Sequence, residues 1–189
     1  MSACYKTIPP VFLVGYMGCG KTTLGRAVAR IADVDFIDLD HYIENRFRRS
    51  VRDIFAERGE DAFRIIERNM LREVGEFENV IVACGGGTPC FFNNMEYMNA
   101  RGTTVFLNAS MQRLHERLCK GRHKRPLIAS FSDDRIAEYA DAALRQRLPY
   151  YMQAAICFNS DELECRQEID NSVEKFVTLL HLPLREHNA

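Results

Sequence analysis

Hydrophobic and polar residues divide the chain into short apolar runs and longer segments in which apolar residues recur every three or four positions. Short apolar runs predict buried strands, whereas the longer periodic segments predict amphipathic helices. Strands that alternate with helices predict a parallel sheet covered on both faces, and therefore a three-layer α/β fold. The predicted strands are VFLV (11–14), VDFID (34–38), VIVAC (80–84), TTVFLN (103–108) and AAICFN (154–159).

Capping residues and helix breakers set the predicted helix boundaries. Ser50, with an acid three residues later, predicts the start of a short helix that Gly59 ends. Pro149 should kink or restart its helix, because proline lacks the amide that an interior helix position needs. Helices are expected from the glycine loop to about Ile31, from Ser50 to Gly59, from about Asp61 to Gly75, after Ser110, from about Asp133, and over 172–180.

The composition narrows the function classes. The chain has 189 residues, of which 47% are hydrophobic and 27% charged, as in ordinary soluble globular proteins. A net charge of −1 gives no general attraction to nucleic acid or anionic membrane, and no apolar run is long enough to span a bilayer. The start, MSACYKTIPP, lacks the apolar core of a signal peptide. Seven cysteines without a disulfide-like framework predict a reduced, cytoplasmic protein.

The first chemical signal is GYMGCGKT (15–22), which lies between the first predicted strand and helix. Its spacing is that of the phosphate-binding P-loop, G-x-x-x-x-G-K-[ST]. Glycines let backbone N–H groups surround phosphate oxygens, Lys21 can reach the β- and γ-phosphates, and Thr22 can offer its hydroxyl to Mg²⁺. A glycine-rich turn without a ligand is the structural alternative. The predicted ATP contacts are Gly18, Cys19, Gly20, Lys21, Thr22 and Thr23, with Cys19 interpreted as a small filler of the loop.

Two polar or glycine-rich segments follow the next strands. Asp38 and Asp40 lie at the end of the second strand, and glycines 85–87 follow the third. Because the loops that follow parallel strands gather at one edge of the sheet, both segments should meet the P-loop in one cleft. Asp38, with Thr22, is a predicted Mg²⁺ ligand, and Asp40 could accept a proton from a substrate hydroxyl. The alternatives are a solvated strand end, a helix cap at Asp40 and a plain glycine turn.

Two arginines lie beside predicted inward-facing stripes. Glu67 lies three residues after Arg64, close enough on a helix to orient its guanidinium group. Guanidinium groups bind carboxylates and phosphates, so Arg64 and Arg147 are candidate anion ligands, with an internal salt bridge as the alternative for each. The predicted stripes are Ala62, Ile66, Met70 and Val74 beside Arg64, and Ala140, Ala143 and Leu144 in line with Arg147.

Taken together, these segments resemble shikimate kinase. The segments GYMGCGKT, FIDLD, DIFAERGEDAFRIIE, ACGGGT, GRHKRPL and RLPYY occur in that family's order and at close to its spacing, from about Val11 to Phe158. A P-loop alone is shared with many nucleotide triphosphatases. The combination of D-x-D, F-R-x-x-E, G-G-G and R-P-L is much more specific.

The resemblance implies a P-loop kinase fold with a five-stranded parallel sheet and a mobile lid. Residues 1–189 would form one domain, with a substrate-binding helical region at about 41–75 and the lid at about 120–131. The implied reaction is transfer of the ATP γ-phosphate to the 3-hydroxyl of shikimate with Mg²⁺, in aromatic amino-acid biosynthesis. We expect a monomer that binds neither nucleic acid nor membrane.

The resemblance also implies a role for each matched residue. Catalysis falls on Lys21, Asp40 and Arg125, the last being the lid arginine that also contacts ATP. Glu67 would hold Arg64, and Thr22 and Asp38 would lie at the metal. The implied shikimate contacts are Asp40, Arg64, Gly85, Gly86, Gly87 and Arg147.

The adenine contact departs from the family pattern. An arginine that stacks on adenine often lies about seven residues before the lid arginine, and an ungapped match places Leu118 there. Arg117 or Lys120 could take its place.

Other functions stay open at this point. The basic stretch 113–125 could suggest nucleic acid, although it lacks interleaved aromatic residues. His115, Cys119 and His123 recur at helical spacing, but a zinc site would need a fourth ligand. A kinase for gluconate or a nucleoside monophosphate would share much of the site. A non-catalytic nucleotide-binding regulator would usually have lost Lys21, Asp38 or Asp40.

Overall fold

A five-stranded, entirely parallel sheet forms the centre of the molecule. The computed structural model describes residues 7–125 and 127–183. The strands lie in the order β2-β3-β1-β4-β5, which confirms the predicted α/β class. Every residue of β1 and β3 is buried, as expected of strands covered on both faces. The strands are β1 Val11–Val14, β2 Asp35–Asp38, β3 Val80–Ala83, β4 Thr103–Asn108 and β5 Ile156–Asn159.

Helices flank the sheet on both sides. Helix α1 packs against α7 and against strands β2 and β3, whereas α5 and α6 form a second packed pair. Short 3₁₀ turns occupy Thr88–Cys90 and Arg122–Lys124. The helices are α1 Lys21–Ala32, α2 Leu39–Phe47, α3 Val51–Val74, α4 Asn94–Arg101, α5 Met111–Lys120, α6 Asp133–Tyr151 and α7 Arg166–Leu180.

Three helix predictions were wrong, and the alternative of a helix cap at Asp40 was wrong too, because Asp38 is the N-cap of α2. Helix α4 was not predicted, because Asn93 precedes it in a left-handed conformation and makes no side-chain cap. Helix α7 begins at Arg166 rather than 172, and its N-cap Cys165 also makes no side-chain hydrogen bond. Helix α6 continues through Pro149 and ends at Tyr151, because a proline this close to the helix end costs little intrahelical bonding.

The predicted break at Gly59 is confirmed, but the prediction of which α3 residues face the core was wrong. Gly59 has φ 78° and ψ 173°, which interrupts the helical conformation inside α3. The buried positions on the following turns are Phe63, Glu67, Leu71 and Val74, one residue out of phase with the predicted stripe at its first three positions. The phase was missed because an acid occupies a fully buried position, where an apolar residue is expected.

One glycine lets α1 approach the sheet closely enough to place the P-loop. A Cβ on Gly25 would lie 2.6 Å from the Phe36 ring of β2 and 2.9 Å from Leu13 of β1. The helix axis therefore sits close against the strands, and its N-terminus is fixed at the carboxyl edge of the sheet. In parallel α/β sheets that edge is where ligands bind.

Some expectations concern residues outside the described ranges. They are the N-terminal segment 1–6, Pro126 of the predicted lid and the tail 184–189. Within residues 7–125 and 127–183, none of the helices has the length and apolar character needed to cross a membrane.

Candidate active site

The glycine loop wraps around the N-terminus of α1. Gly15, Gly18 and Gly20 have φ values of 140°, 85° and 103°, a region that favours glycine. The Lys21 ammonium group donates to the carbonyl oxygens of Gly15 and Tyr16, at 2.7 and 3.0 Å. Cys19 is buried, as expected of a filler. The predicted P-loop therefore has the conformation that turns its backbone amides toward a phosphate.

The end of strand β2 and the first turn of α2 bring both aspartates next to the P-loop. Asp38 caps α2, and its Oδ2 accepts a hydrogen bond from Thr22 Oγ1 at 3.0 Å. Asp40 lies in the first turn of α2. Lys21, Thr22, Asp38 and Asp40 line one cavity of about 430 Å³, whose other walls come from the end of β3, from α5 and from the loop after β5. The convergence predicted from the shared edge of a parallel sheet is thus present.

The environment of Asp40 disfavours its ionised form. Burial is the main cause, and the carboxylates of Asp38, Glu67 and Glu44 add to it, whereas Lys21 opposes them. Together they raise the pKa of Asp40 to about 6. A carboxylate with this pKa is a better proton acceptor near neutral pH than an ordinary aspartate, and it stays ionised there.

Arg64 approaches the third predicted segment from α3. Its Nη1 donates to Glu67 Oε2 at 2.9 Å, and its Nη2 donates to Glu60 Oε1 at 3.0 Å. A Cβ on Gly87 would lie 2.8 Å from Arg64 Nη2, so only glycine admits the guanidinium group so close to the loop. Glu67 therefore orients Arg64, and the salt bridge leaves part of the guanidinium facing the glycines.

Arg147 reaches the same loop from α6. A Cβ on Gly86 would lie 3.3 Å from Arg147 Nη1, and the guanidinium carbon lies 5.8 Å from the centre of the Tyr16 ring. Tyr151, one helical turn later, donates its hydroxyl to the Gly86 carbonyl at 2.6 Å. At the start of the loop, a Cβ on Gly85 would lie 3.0 Å from Asp40 Oδ1. The glycines thus lie between one carboxylate and two arginines.

The lid arginine and the adenine position occupy the nucleotide end of the cavity. Arg125 lines the cavity and donates to the Arg117 carbonyl at 3.4 Å. Arg117 also lines it, and donates to Gly18 O, Asp161 O and Glu164. Leu118 is buried beneath Gly18. Of the alternatives at the adenine position, Arg117 is therefore the one that faces the cavity.

Sequence reasoning missed several neighbours of these arginines. Thr88, directly after the glycines, donates its hydroxyl to Glu67 Oε1 at 2.5 Å. Phe91 lies 4.2 Å from the Arg64 guanidinium carbon, measured to the ring centre. Tyr16 lies under Arg147. Tyr16 and Thr88 lie within recognised motifs and Phe91 lies shortly after one, but the partner of each is far away in sequence, so the motif alone gave no signal.

The histidine and cysteine residues of α5 form a small contact of their own. His115 Nε2 lies 3.0 Å from the Asp133 carbonyl oxygen and 3.3 Å from Cys119 Sγ. Across the described part of the chain, no three or more His, Cys, Asp or Glu side chains are placed to hold a metal ion together.

The parallel sheet and the glycine loop at its carboxyl edge, with Lys21 and two aspartates beside it, define a P-loop phosphotransferase. The family model for shikimate kinase matches residues 17–178. A shikimate kinase of Bacteroides thetaiotaomicron is 52% identical over 172 residues, which cover 91% of this chain and 98% of that protein. The chain belongs to the shikimate kinase family.

Solved structures agree with this membership. The crystal structure of shikimate kinase from Bacteroides thetaiotaomicron has a TM-score of 0.91 and 51% identity, and the match covers 94% of this chain and 100% of that one. Shikimate kinase from Acinetobacter baumannii, solved in complex with shikimate, has a TM-score of 0.79 and 28% identity over 94% of this chain and 96% of that one. The predicted P-loop kinase fold is confirmed.

Proposed function

We propose that this chain transfers the γ-phosphate of ATP to the 3-hydroxyl of shikimate, giving shikimate 3-phosphate and ADP. The observation that carries the proposal is the arrangement around glycines 85–87. Asp40 lies beside Gly85, whereas Arg147 and Arg64 approach Gly86 and Gly87. A carboxylated polyol needs cations for its carboxylate and a base near its reacting hydroxyl, and both are present around one loop. The close family relatives support this choice of acceptor.

The nucleotide end supplies amides and cations. The backbone N–H groups of the glycine loop and the N-terminus of α1 would bind the phosphates. Lys21 would exchange its carbonyl partners for the β- and γ-phosphates, because an anion is a stronger acceptor than a neutral carbonyl. Arg125, on the lid, would reach the transferred phosphoryl group and stabilise its charge in the transition state.

At the acceptor end, the proposed step is an in-line attack by the substrate hydroxyl. Asp40 would accept or guide the hydroxyl proton as the oxygen attacks. Arg64 and Arg147 would bind the carboxylate, and the glycine amides would position the ring. Because phosphoryl transfer relies mainly on positioning and electrostatic stabilisation, this alignment supplies much of the acceleration.

The oxygen ligands in the cavity fit Mg²⁺. Thr22 Oγ1 and Asp38 Oδ2 lie 3.0 Å apart at the phosphate end, and magnesium is commonly held by one or two protein oxygens together with phosphates and water. Thr22 and Asp38 are the residues proposed to hold it. When bound, Mg²⁺ would offset the negative charge of the β- and γ-phosphates.

We further propose that the enzyme is a cytoplasmic monomer with a mobile lid near 120–131. A single chain supplies all the contacts proposed for ATP and shikimate, so the proposed reaction does not require a second copy. The cysteines within the described ranges are free thiols, which supports a reducing compartment. The basic lid would close over the phosphates and exclude water, so that ATP is transferred rather than hydrolysed.

The test is ADP release with MgATP and separate acceptors: shikimate, gluconate and a nucleoside monophosphate. We expect turnover with shikimate and background rates with the other two. Turnover with gluconate or the nucleotide would retain the P-loop chemistry but reject the proposed acceptor site. Binding of ATP without turnover on any acceptor would favour a nucleotide-binding regulator.

A further inference from the structure

We propose that Thr88 is a positioning residue for shikimate binding, acting through Glu67 to hold Arg64 against the glycine loop. The inference rests on the proposed function and adds a residue to its acceptor site. Thr88 and Glu67 are 0% and 1% exposed, and the Arg64 side chain is 11% exposed. The three side chains form a continuous hydrogen-bonded chain from the glycine loop to the guanidinium group.

The two oxygens of Glu67 have different partners. Thr88 Oγ1 donates to Oε1 at 2.5 Å, and Arg64 Nη1 donates to Oε2 at 2.9 Å. A hydroxyl–carboxylate distance this short is typical of a charge-assisted hydrogen bond. The Thr88 bond therefore fixes the plane of the Glu67 carboxylate, and that plane sets the direction in which Arg64 Nη1 donates. The exposed Glu60 accepts from Nε and Nη2 of the same guanidinium group.

Thr88 is itself held firmly. Its amide donates to the Gly85 carbonyl at 3.1 Å, and its carbonyl accepts from Asn94 Nδ2 at 2.9 Å. Asn94 is 2% exposed. Because both backbone groups are fixed, the Thr88 hydroxyl points in a defined direction. It can therefore hold the Glu67 carboxylate in one orientation.

Loss of the hydroxyl would leave a buried carboxylate oxygen without its donor, close to a second acid. A Cβ on Gly85 would contact Thr88 Oγ1, Glu67 Oε1 and Asp40 Oδ1 at 3.0, 3.1 and 3.0 Å, so these oxygens surround one point. An unsatisfied carboxylate in this place is costly and would rotate or take up a proton. In either case Arg64 would lose its buried partner and would be held by the exposed Glu60.

The test compares the kinetics of the wild-type protein and Thr88→Val, which keeps the side-chain shape and removes the hydroxyl. We expect the KM for shikimate to rise about tenfold, the scale of a lost buried hydrogen bond to a charged group, while the KM for ATP changes less than about twofold. Thr88→Ser should retain a KM close to wild type. In the Glu67→Gln background, Thr88→Val should add little, because the two residues act in one chain.

Thr104→Val is the matched control. Thr104 is also 0% exposed, and its hydroxyl donates to Asn99 and accepts from the Ala155 amide, but it lies on β4 away from the proposed site. Its substitution should lower the melting temperature without changing the KM for shikimate. If Thr88→Val does not fold, Thr88→Ala and Thr88→Ser form the decisive pair, because they differ only in the hydroxyl, and the same difference in KM is expected between them.

The outcomes separate the inference from the function on which it rests. A wild-type protein that phosphorylates shikimate, with an unchanged KM in Thr88→Val or equal KM values in the alanine and serine variants, would overturn the inference alone. An equal rise in the KM for ATP would also overturn it, because the role would then be structural. A wild-type protein inactive on shikimate would overturn both.

Discussion

The two sides of the proposed active site hold their charged groups in different ways. On the acceptor side (Arg64, Glu67, Thr88, Gly85–Gly87 and Arg147), Arg64 is paired with a buried carboxylate and packed against an aromatic ring. On the nucleotide side (Gly15–Thr22, Arg117 and Arg125), Lys21 and Arg125 donate to main-chain carbonyl oxygens. Arg64 on the acceptor side is thus held by charge pairs, and Lys21 and Arg125 on the nucleotide side by bonds to neutral groups. Arg117 is the exception on the nucleotide side, because it pairs with Glu164.

This difference indicates how each side binds its ligand. A neutral carbonyl is a weaker acceptor than a phosphate oxygen, so Lys21 and Arg125 can exchange partners at low cost. Glu67 keeps its hold on Arg64, because a buried charge is expensive to leave unpaired. We therefore expect substitutions on the acceptor side to change the KM for shikimate, and those on the nucleotide side to change the KM for ATP.

Asp40 lies between the two sides, and its substitution should have the largest effect. Asp40→Asn should lower kcat by about 10²–10⁴-fold, the range typical of general acid–base catalysis, while the KM for ATP stays close to wild type. Steady-state kinetics with saturating MgATP measure this. Asp35→Asn, at the exposed start of β2, the strand directly before the helix that carries Asp40, is the control and should be fully active. Full activity of Asp40→Asn would remove Asp40 from the mechanism.

The same substitution should stabilise the fold above pH 6. The folded-state pKa of Asp40, about 6, lies above the ordinary value of 3.8, so the folded protein holds this proton more tightly than the unfolded chain does. Ionised Asp40 therefore costs stability above about pH 6, and the cost disappears below about pH 4. Thermal unfolding at pH 8 should show a higher melting temperature for Asp40→Asn, by several degrees for roughly 1–2 kcal/mol. An equal gain at pH 4 would contradict this cause.

Arg147→Ala tests the acceptor side directly. The KM for shikimate should rise about 100-fold, the scale of losing one partner of a buried charge pair, with the KM for ATP nearly unchanged. Arg145→Ala is the control on the same helix, because Arg145 is 78% exposed and pairs with Asp141 at the surface. Equal loss of affinity for both substrates would contradict a role of Arg147 in shikimate binding alone.

The pH dependence of kcat should show a smaller effect with a defined direction. Protonation removes the Asp40 base, so kcat should fall about tenfold per pH unit below the pKa near 6. Asp38, Glu67 and Glu44 raise that pKa and Lys21 lowers it, so the position of the acid limb depends on these neighbouring charges. An activity that stays constant from pH 8 to pH 4 would contradict a role for an Asp40 carboxylate.

The smallest expected effect belongs to Arg117. Arg117→Ala should raise the KM for ATP about fivefold, the scale of one cation–π contact, and leave the KM for shikimate unchanged. Arg113→Ala is the control on α5, since Arg113 is 40% exposed and pairs with Glu116. A rise in the KM for shikimate alone would show that Arg117 acts on shikimate binding and would contradict its assignment to the nucleotide side.

Local patterns predicted the sheet and the P-loop well. The strands are short apolar runs, and the glycine loop is a contiguous motif, so both can be read from neighbouring residues. The rule that loops after parallel strands gather at one edge of the sheet then predicted that Asp38, Asp40 and glycines 85–87 would meet there, and Asp38, Asp40, Gly85 and Gly86 do line one cavity.

The features that the sequence did not predict depend on contacts between distant residues or on exceptions to local rules. Thr88 and Glu67 are 21 positions apart, and nothing in either segment indicates that they meet. The phase of α3 was misjudged because Glu67 occupies a core position. Helix α4 was missed because Asn93 precedes it without the usual side-chain cap.

The most direct test of the acceptor side removes the charge from the substrate instead of the protein. Turnover of shikimate and of its methyl ester should be compared for wild type, Arg147→Ala and Arg145→Ala. We expect wild type and Arg145→Ala to prefer shikimate by about 100-fold in kcat/KM, and Arg147→Ala to lose most of that preference. Equal turnover of acid and ester by wild type would show that the arginines do not bind the carboxylate, and would contradict the proposed site.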